Sequence, residues 1–393
     1  MILAACGGGG SNGGGGGGSA SVNNTLPAQV NLGVNNNYAN GLFTSVTVCV
    51  PGTTNCQTIS NVLVDTGSYG LRLLASQVAL PLPPSQDASG NPLGECVQFA
   101  SSFNWGPVVT ADVQLAGEKA PSVPMQLLGQ ASFPSPPNAC ASSGVPENDS
   151  QQTLDANGVL GIGVFRFDCG PSCAPGSSST PAVYFGCPSS GCAPVLIAQQ
   201  NQVQNPVPLF PQDNNGLIVR LPSVAAGGAL TVNGSVVFGI GTQSDNALSG
   251  KSVLDADGFG DFTTTYEGTV YQGSILDTGS NANFFLDAKT AGNGLADCTV
   301  NTGFYCPATT ASFSASNNSA SGVVSAPASW QVGNADNLFT TPNAAFPTLG
   351  GPSPNSFDFG LPFFYGRDVF IGFNLATATS SGGTTFAGPF YAY

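Results

Sequence analysis

A four-residue motif, Asp-Thr-Gly-Ser, occurs twice in this chain of 393 residues, at 65–68 and at 277–280. Each copy follows a run of apolar residues, so each aspartate is expected at the end of a buried strand. If the two strand ends meet, Asp65 and Asp277 lie close together, and two carboxylates in such proximity share one proton because both cannot ionise cheaply. The motif pair therefore predicts one general base and one general acid.

The remaining motif residues have separate expected roles. They are Thr66, Gly67, Ser68, Thr278, Gly279 and Ser280. The threonines are expected to hydrogen-bond to the partner loop and the serines to donate to the outer carboxylate oxygens, while the glycines let the loops approach closely. A turn that simply ends a strand is the alternative for one copy. Two copies with the same flanking pattern, one in each half, favour a functional pair.

The segments that must position these aspartates have the composition of strands. Stretches rich in Val, Thr, Phe and Leu alternate with turn residues, for example at 42–50, 108–115, 217–221, 230–240 and 262–271. The two weak helical patterns lie at 72–80 and 193–201. We expect an all-β fold of two related, barrel-like lobes with a cleft between them. The expected parts are a flexible tail (1–24), an N-terminal lobe (25–215) and a C-terminal lobe (216–393).

Charge and composition narrow the chemistry. Seven basic residues against 21 acidic residues give a net charge of −14, and the chain contains no histidine. Nucleic acid would repel such a chain, so no nucleic-acid partner is expected. The lack of histidine excludes Ser-His-Asp and Cys-His catalysis and the zinc sites that use histidine. The chemistry must then use carboxylates, hydroxyls, thiols or the few cations, and no metal ion or organic cofactor is expected.

The first cysteine, Cys6, stands apart from the other ten in Leu-Ala-Ala-Cys followed by a glycine tract. This run resembles a bacterial lipobox, in which the cysteine carries a diacylglycerol and a Gly/Ser tether leads to the folded part. Because five residues precede Cys6, we expect the signal to begin further upstream. The alternative is a Gly-rich leader with an incidental cysteine. The expected protein is a monomer of the bacterial cell envelope, lipid-anchored or secreted, that contacts the membrane only through Cys6.

The other ten cysteines are even in number, which is typical of disulfides in an oxidising compartment. Neighbours in sequence suggest five local pairs, although spacing alone leaves the connectivity open: Cys49 with Cys56, Cys169 with Cys173, Cys187 with Cys192, Cys298 with Cys306, and Cys96 with Cys140. A four-thiolate zinc site at 169–192 is the alternative. Three aspartates at 255–261 offer oxygen ligands for calcium, but a glycine-rich hairpin turn is the favoured interpretation.

The double motif resembles the signature of the pepsin-like, bilobal aspartic peptidases. Four further segments resemble that family, at 157–163, 234–239, 359–364 and 369–374. The resemblance implies the pepsin-like acid-protease fold and an aspartic endopeptidase that hydrolyses an extended polypeptide in the interlobe cleft. The Asp65/Asp277 dyad would activate a water, with apolar residues of the substrate beside the cut and no cofactor. The lipobox, tether and motifs together also resemble an uncharacterised family of bacterial lipoproteins.

The sequence departs from that family at several places. Arg72 stands where the family usually carries tryptophan, and Asp358 takes a usually apolar position. The hairpin expected to close over substrate, residues 97–115, contains no tyrosine. The candidates for the hairpin and cleft are Phe99, Phe103, Trp105 and Arg72, and ordinary packing within the hairpin is the alternative for the three aromatic residues. These departures leave a second function open, a lipid-anchored, catalytically inactive binding protein with the same scaffold. Glycoside hydrolysis is less favoured, since it needs carboxyl groups about 5 Å or more apart.

Overall fold

Strands make up most of the regular structure in the computed structural model, which describes residues 23–141, 144–287 and 295–393. The first eleven are β1 Thr25–Asn31, β2 Gly41–Cys49, β3 Cys56–Asp65, β4 Tyr69–Leu74, β5 Leu93–Gln98, β6 Phe103–Leu115, β7 Glu118–Leu128, β8 Gly158–Ile162, β9 Tyr184–Gly186, β10 Ala193–Pro194 and β11 Gly216–Leu221. The others are β12 Val232–Phe238, β13 Val253–Asp255, β14 Phe262–Tyr266, β15 Thr269–Leu276, β16 Asn283–Phe285, β17 Ala311–Asn318, β18 Ser325–Val332, β19 Gly350–Gly351, β20 Phe357–Phe359, β21 Arg367–Gly372, β22 Thr377–Thr379, β23 Thr385–Ala387 and β24 Phe390–Ala392.

The helices in the described residues are short. The α-helices are α1 Asn138–Ala141, α2 Gln151–Leu154, α3 Ala335–Leu338 and α4 Leu361–Phe364, and the 3-10 turns are Ala75–Gln77, Gly170–Cys173, Gln199–Asn201 and Val207–Leu209. None of these helices has the length and apolar composition needed to span a bilayer. The all-β class predicted from the alternating strand patterns is confirmed.

Two large sheets hold the strands that end at the motif aspartates. A 15-stranded sheet runs β10-β9-β5-β6-β7-β4-β8-β3-β2-β1-β12-β11-β21-β24-β13, and β2 also pairs with β6, which curls this part of the sheet towards a barrel. A seven-stranded sheet runs β18-β17-β14-β15-β20-β16-β19. Strands β3 and β15 both lie in the interior of their sheets. Each motif therefore starts from a strand that neighbours hold on both sides.

The same three-strand arrangement surrounds both motifs. Strand β3, which ends at Asp65, runs parallel to β8, while β4, which follows the motif, is antiparallel to β8. In the second half, β15 runs parallel to β20 and β16 is antiparallel to β20. The repeat detected in the sequence is thus a repeat of local topology, with one crossing strand between the two arms of each motif.

Glycine is required at two positions, one in β8 and one directly after β20, where these crossing strands pass the backbone that follows a motif. A Cβ atom at Gly161 would lie 2.7 Å from the Tyr69 backbone nitrogen, and one at Gly360 would lie 2.5 Å from the Ser280 carbonyl oxygen. Real Cβ atoms do not approach other heavy atoms so closely, so a larger residue would push the crossing strand away from the motif.

The apolar residues before each aspartate are core residues. Val62, Val64 and Leu276 are fully buried. In the second half the core beneath the motif is aromatic: the rings of Phe285 and Trp330 meet edge to face with centroids 5.0 Å apart, an orientation that aromatic quadrupoles favour. Because these apolar runs are buried, each strand has a defined position in the core, and this position sets where its aspartate lies.

Three local predictions were wrong. Residues 72–80 form the end of β4 and a single 3-10 turn, and residues 193–201 contain β10 and another such turn, so neither segment is an α-helix. A short apolar run suits a buried strand or a helix equally. In the segment 72–80, the first residues form a strand because they pair with β7 and β8. The strand predicted over 262–271 is two strands, β14 and β15, joined at Glu267 and Gly268, whose positive φ angles (49° and 80°) suit a tight hairpin.

Five disulfides join the cysteines that neighbour one another in sequence. They are Cys49–Cys56, Cys96–Cys140, Cys169–Cys173, Cys187–Cys192 and Cys298–Cys306. The cysteines at 169–192 are therefore paired with each other rather than available as the four thiolates of a zinc site. The presence of these five disulfides indicates that the protein folds in an oxidising compartment outside the cytoplasm.

Candidate active site

Two threonines lock the motif loops together. The Thr66 hydroxyl donates to the Leu276 carbonyl oxygen (2.9 Å) and accepts from the Thr278 N–H (3.0 Å). The Thr278 hydroxyl donates to the Val64 carbonyl oxygen (2.7 Å) and accepts from the Thr66 N–H (3.1 Å). Both side chains are buried, at 1% and 0% exposure. This reciprocal set of four hydrogen bonds crosses the middle of the molecule and brings the two aspartates face to face.

The carboxyl groups of Asp65 and Asp277 share a donor. The N–H of Gly67 points at both, 2.9 Å from Asp65 Oδ1 and 3.1 Å from Asp277 Oδ1. A Cβ atom at Gly67 would lie 2.6 Å from Asp277 Oδ2, and one at Gly279 would lie 2.6 Å from Asp65 Oδ1. Only glycine permits this approach, which places the carboxyl groups close enough to hydrogen-bond to each other.

The two carboxyl groups accept similar hydrogen bonds, but a third carboxyl group, Asp358, lies near Asp277. Asp65 Oδ1 accepts from the Gly67 and Ser68 N–H groups, and Asp65 Oδ2 accepts from the Ser68 hydroxyl at 2.5 Å. Asp277 accepts a similar set: its Oδ1 accepts from the Gly67 and Gly279 N–H groups, and its Oδ2 lies 3.0 Å from the Ser280 hydroxyl. Burial and the nearby charges of Asp65 and Asp358 raise the pKa of Asp277 well above its usual range. The raised pKa favours the protonated form of Asp277.

A third carboxyl group joins this network through Ser280. The Ser280 hydroxyl lies 3.0 Å from Asp277 Oδ2 and 2.5 Å from Asp358 Oδ2. Burial raises the pKa of Asp358 to about 7; the charge of Asp65 adds to the shift, and the hydrogen bond from Ser280 opposes it. The other oxygen of Asp358 is buried with no partner in the described part of the chain. The unusual aspartate noted in the sequence is therefore a third member of the acidic cluster.

A cavity of about 400 Å³ opens beside the two aspartates. Tyr38, from the loop before β2, lines it together with Asp65 and Asp277. Burial and the charges of those two aspartates raise the pKa of Tyr38, so its hydroxyl keeps its proton and can act as a donor. Nothing in the local sequence pattern pointed to this tyrosine, because only the course of the loop brings it to the cavity.

Asn40 anchors the loop that carries Tyr38. Its amide nitrogen donates to the carbonyl oxygens of Asn281 (2.8 Å) and Phe346 (2.9 Å), and its amide oxygen accepts from the Phe346 N–H (2.7 Å) and the Tyr365 hydroxyl (2.8 Å). The side chain is fully buried and fully hydrogen-bonded. It ties a loop of the first half to three segments of the second half, which holds Tyr38 in a defined place.

The hairpin of β5 and β6 contributes its tip to the cavity. Phe99 and Ser102 close the turn, where the Phe99 N–H donates to the Ser102 carbonyl oxygen (2.8 Å), and both residues line the cavity. Phe103 and Trp105 do not line it. They are buried in an aromatic cluster with Phe185 and the Cys96–Cys140 disulfide. The expectation that these two aromatic residues face the cleft is therefore corrected: they hold the hairpin to the protein behind it.

Arg72 also lies away from the cavity, which corrects its assignment to the cleft. It is fully buried and pairs with Glu95 at 2.6 Å and with Asp168 at 3.3 Å. Tyr184 donates a hydrogen bond to Asp168 (2.6 Å). Burial and the charge of Glu95 raise the pKa of Asp168 well above its usual range, so the cluster keeps a proton as well as the Arg72–Glu95 ion pair. Arg72 thus fastens the hairpin strand β5 to β4, beneath the cavity.

Two other expectations from the sequence concern the aspartates at 255–261 and the lipid anchor at Cys6. Asp257 accepts hydrogen bonds from the N–H groups of Phe259 (2.8 Å) and Asp261 (3.1 Å), and Asp255 accepts from Ser321, so this segment forms a hydrogen-bonded turn. Cys6 and the glycine tract lie outside the described residues. The lipid anchor stays a prediction.

Comparison with solved structures identifies the fold. The chain is similar to an aspartic proteinase from Irpex lacteus, with a TM-score of 0.52, 14% sequence identity, and coverage of 94% of this chain and 96% of the other. The molecule therefore has the pepsin-like all-β fold that the double motif predicted. No curated protein matches the sequence. The chain belongs to the family described as "Protein of unknown function (DUF3443)", whose model matches residues 20–393.

Proposed function

We propose that the protein is an aspartic endopeptidase that hydrolyses peptide bonds of a polypeptide bound beside Asp65 and Asp277. The observation that carries this proposal is the single N–H of Gly67 that bonds to both carboxyl groups. It holds the pair in the arrangement that two carboxyl groups need to share one proton. The pepsin-like fold supports the same conclusion, although a fold alone does not define an activity.

In the proposed reaction the two aspartates act as base and acid on one water. Asp65 takes a proton from the water as the water oxygen attacks the scissile carbonyl carbon. Asp277, whose pKa is raised, gives its proton to the carbonyl oxygen. The resulting diol collapses when the amide nitrogen receives the proton held by Asp65, the C–N bond breaks, and a diol hydroxyl returns a proton to Asp277.

The surroundings of the pair suit this chemistry. Tyr38 lines the cavity, and so does Phe99 at the hairpin tip. An extended peptide would lie between them and add a strand beside the hairpin. Anchoring at Cys6 would hold this activity at the surface of a bacterial envelope, where polypeptide substrates are met outside the cytoplasm.

The test is hydrolysis by the purified full chain, measured on a denatured protein across pH 3 to 7, with and without a statine transition-state inhibitor. We expect cleavage that the inhibitor blocks and that Asp65→Asn and Asp277→Asn each abolish. Asp368→Asn, which removes a half-exposed carboxylate from a surface ion pair, is the matched control and retains activity.

One observation favours the second candidate, an inactive binding protein. The hairpin whose tip lines the cavity is tied to the rest of the protein by the Cys96–Cys140 disulfide and by the buried Arg72–Glu95 pair, and both contacts restrain the movement that a closing flap makes. Statine binding without hydrolysis of any substrate at any pH would support that function instead.

A further inference from the structure

One buried amide at the cavity has no partner. Asn104 lies on β6, next to the hairpin tip, and is fully buried. Neither its amide nitrogen nor its amide oxygen has a hydrogen-bond partner within the part of the chain that the structure describes. The same residue lines the cavity that contains Asp65 and Asp277. Buried polar groups are nearly always hydrogen-bonded. An amide without partners at a cavity wall therefore indicates that a group of the ligand forms the missing hydrogen bonds.

The strand cannot turn this amide away from the cavity. Side chains alternate across a strand, and the neighbours Phe103 and Trp105 are committed to the aromatic cluster on the opposite face. The backbone is held on both sides, since Asn104 pairs with Val97 of β5 and Phe103 forms a bridge to Glu147. The position of Asn104 is therefore set before any ligand arrives.

The cavity around Asn104 selects for a neutral group. Leu63, Leu154 and Val159 supply apolar walls, and none of the described residues that line the cavity is basic. The other lining amide, Asn148, is already bonded to the Ser102 hydroxyl at 2.8 Å. The negative charge at the cavity belongs to the Asp65/Asp277 pair, which disfavours an acidic ligand. Asn104 thus offers one free donor and one free acceptor side by side.

We propose that Asn104 is a specificity-determining residue and that its pocket accepts a carboxamide side chain, glutamine or asparagine, of the bound polypeptide. This inference rests on the proposed function and names one preference within it. A carboxamide presents an acceptor and a donor that complement those of Asn104. A leucine of similar size fills the same space but leaves the buried amide unpaired, and sites of this kind discriminate strongly against such analogues.

The test is binding of statine peptides that differ at one residue, measured by titration calorimetry on the full chain. Glutamine, leucine and glutamate are compared at each position on both sides of the statine. We expect one position at which the glutamine peptide binds about tenfold or more tightly than both others, from two additional hydrogen bonds. The Asn104→Leu variant should bind the leucine peptide more tightly than the glutamine peptide at that position.

The matched control is Asn283→Leu. Asn283 on β16 is equally buried, and both of its amide atoms also lack partners in the described residues, but it is not among the cavity-lining residues. This variant should keep the glutamine preference, and its loss would overturn the inference. Binding of all peptides by the unmodified protein without a glutamine preference would overturn the inference alone, whether or not Asn104→Leu folds. Binding of none would overturn the proposed function and the inference with it.

Discussion

Asp358 lies 2.5 Å from the hydroxyl oxygen of Ser280, the serine that also contacts Asp277. A serine hydroxyl has one proton, so one of its two carboxyl contacts needs a proton on the carboxyl group itself. The first motif has a simpler arrangement, in which Ser68 bonds to Asp65 alone in this way. The two motifs, alike in sequence, thus differ in that only the second contacts a further carboxyl group through its serine, and that group belongs to a residue 78 positions beyond Ser280.

The first prediction concerns the pH dependence of hydrolysis. The charge of Asp358 is one of the causes that raise the pKa of Asp277, so Asp358→Asn lowers that pKa. Asp277 must keep its proton for the reaction, and the alkaline limb of the kcat/KM profile should therefore move to lower pH. Profiles between pH 3 and 8 for both proteins measure it. A limb that stays in place or moves to higher pH would contradict the role given to Asp358.

The second prediction concerns stability. The pKa of Asp358 is raised from 3.8 to about 7, so the folded state binds this proton more tightly than the unfolded state does. Its contribution to stability is complete below pH 3.8 and is lost as the pH rises through about 7. The melting temperature of the protein should fall as the pH rises from 4 to 8. The melting temperature of the Asp358→Asn variant should fall less steeply over the same range. A melting temperature that rises over this range would be incompatible with the buried carboxyl cluster.

The third prediction concerns the threonine lock. Thr278→Val keeps the shape of the side chain but removes two hydrogen bonds, leaving the Val64 carbonyl oxygen and the Thr66 N–H without these partners. The free energy of unfolding should fall by about 2–4 kcal/mol. Thr58→Val, at an exposed threonine bonded to Thr47, is the control and should change it by less than about 0.5 kcal/mol. Denaturant unfolding of both variants compares them, and equal effects would argue against the lock.

The fourth prediction concerns the buried ion pair beneath the hairpin. Arg72→Met leaves the carboxylate of Glu95 buried without its cation, so unfolding should become easier by about 3–5 kcal/mol. The double variant Arg72→Met/Glu95→Gln should recover part of this loss, since no unpaired charge is left there. Breaking the surface pair of Arg220 and Asp368 with Asp368→Asn should cost less than about 1 kcal/mol. If the single Arg72 variant were as stable as this control, the pair would have no structural role.

Much of the fold was predictable because its signals are local. Stretches rich in Val, Thr, Phe and Leu marked β2, β6 and β11 to within a few residues, apart from an earlier start to β6. The cysteine pairs join positions close in sequence in four of five cases, where short loops bring sulfurs together at little entropic cost. The weak helical pattern at 72–80 was wrong, since its apolar residues suit a buried strand as well as a helix.

The candidate site was only partly predictable. The motif repeat identified Asp65 and Asp277 and the residues beside them. Asp358 carried a signal, a charged residue at a position where the resemblance expects an apolar one. Tyr38 and Asn104 carried none, because an aromatic residue in a loop and an asparagine in a strand are common in any β protein.

By itself, the sequence determined the all-β class, the two strands that end in Asp-Thr-Gly-Ser, and the exclusion of histidine chemistry. These follow from residue type and near-neighbour spacing. The tertiary structure alone decided that Arg72 meets Glu95 and Asp168 in the interior, that Ser280 meets Asp358, and that Asn104 faces the cavity. The physical reason is register: a side chain changes face with each residue along a strand, so its partners depend on long-range pairing that no local pattern contains.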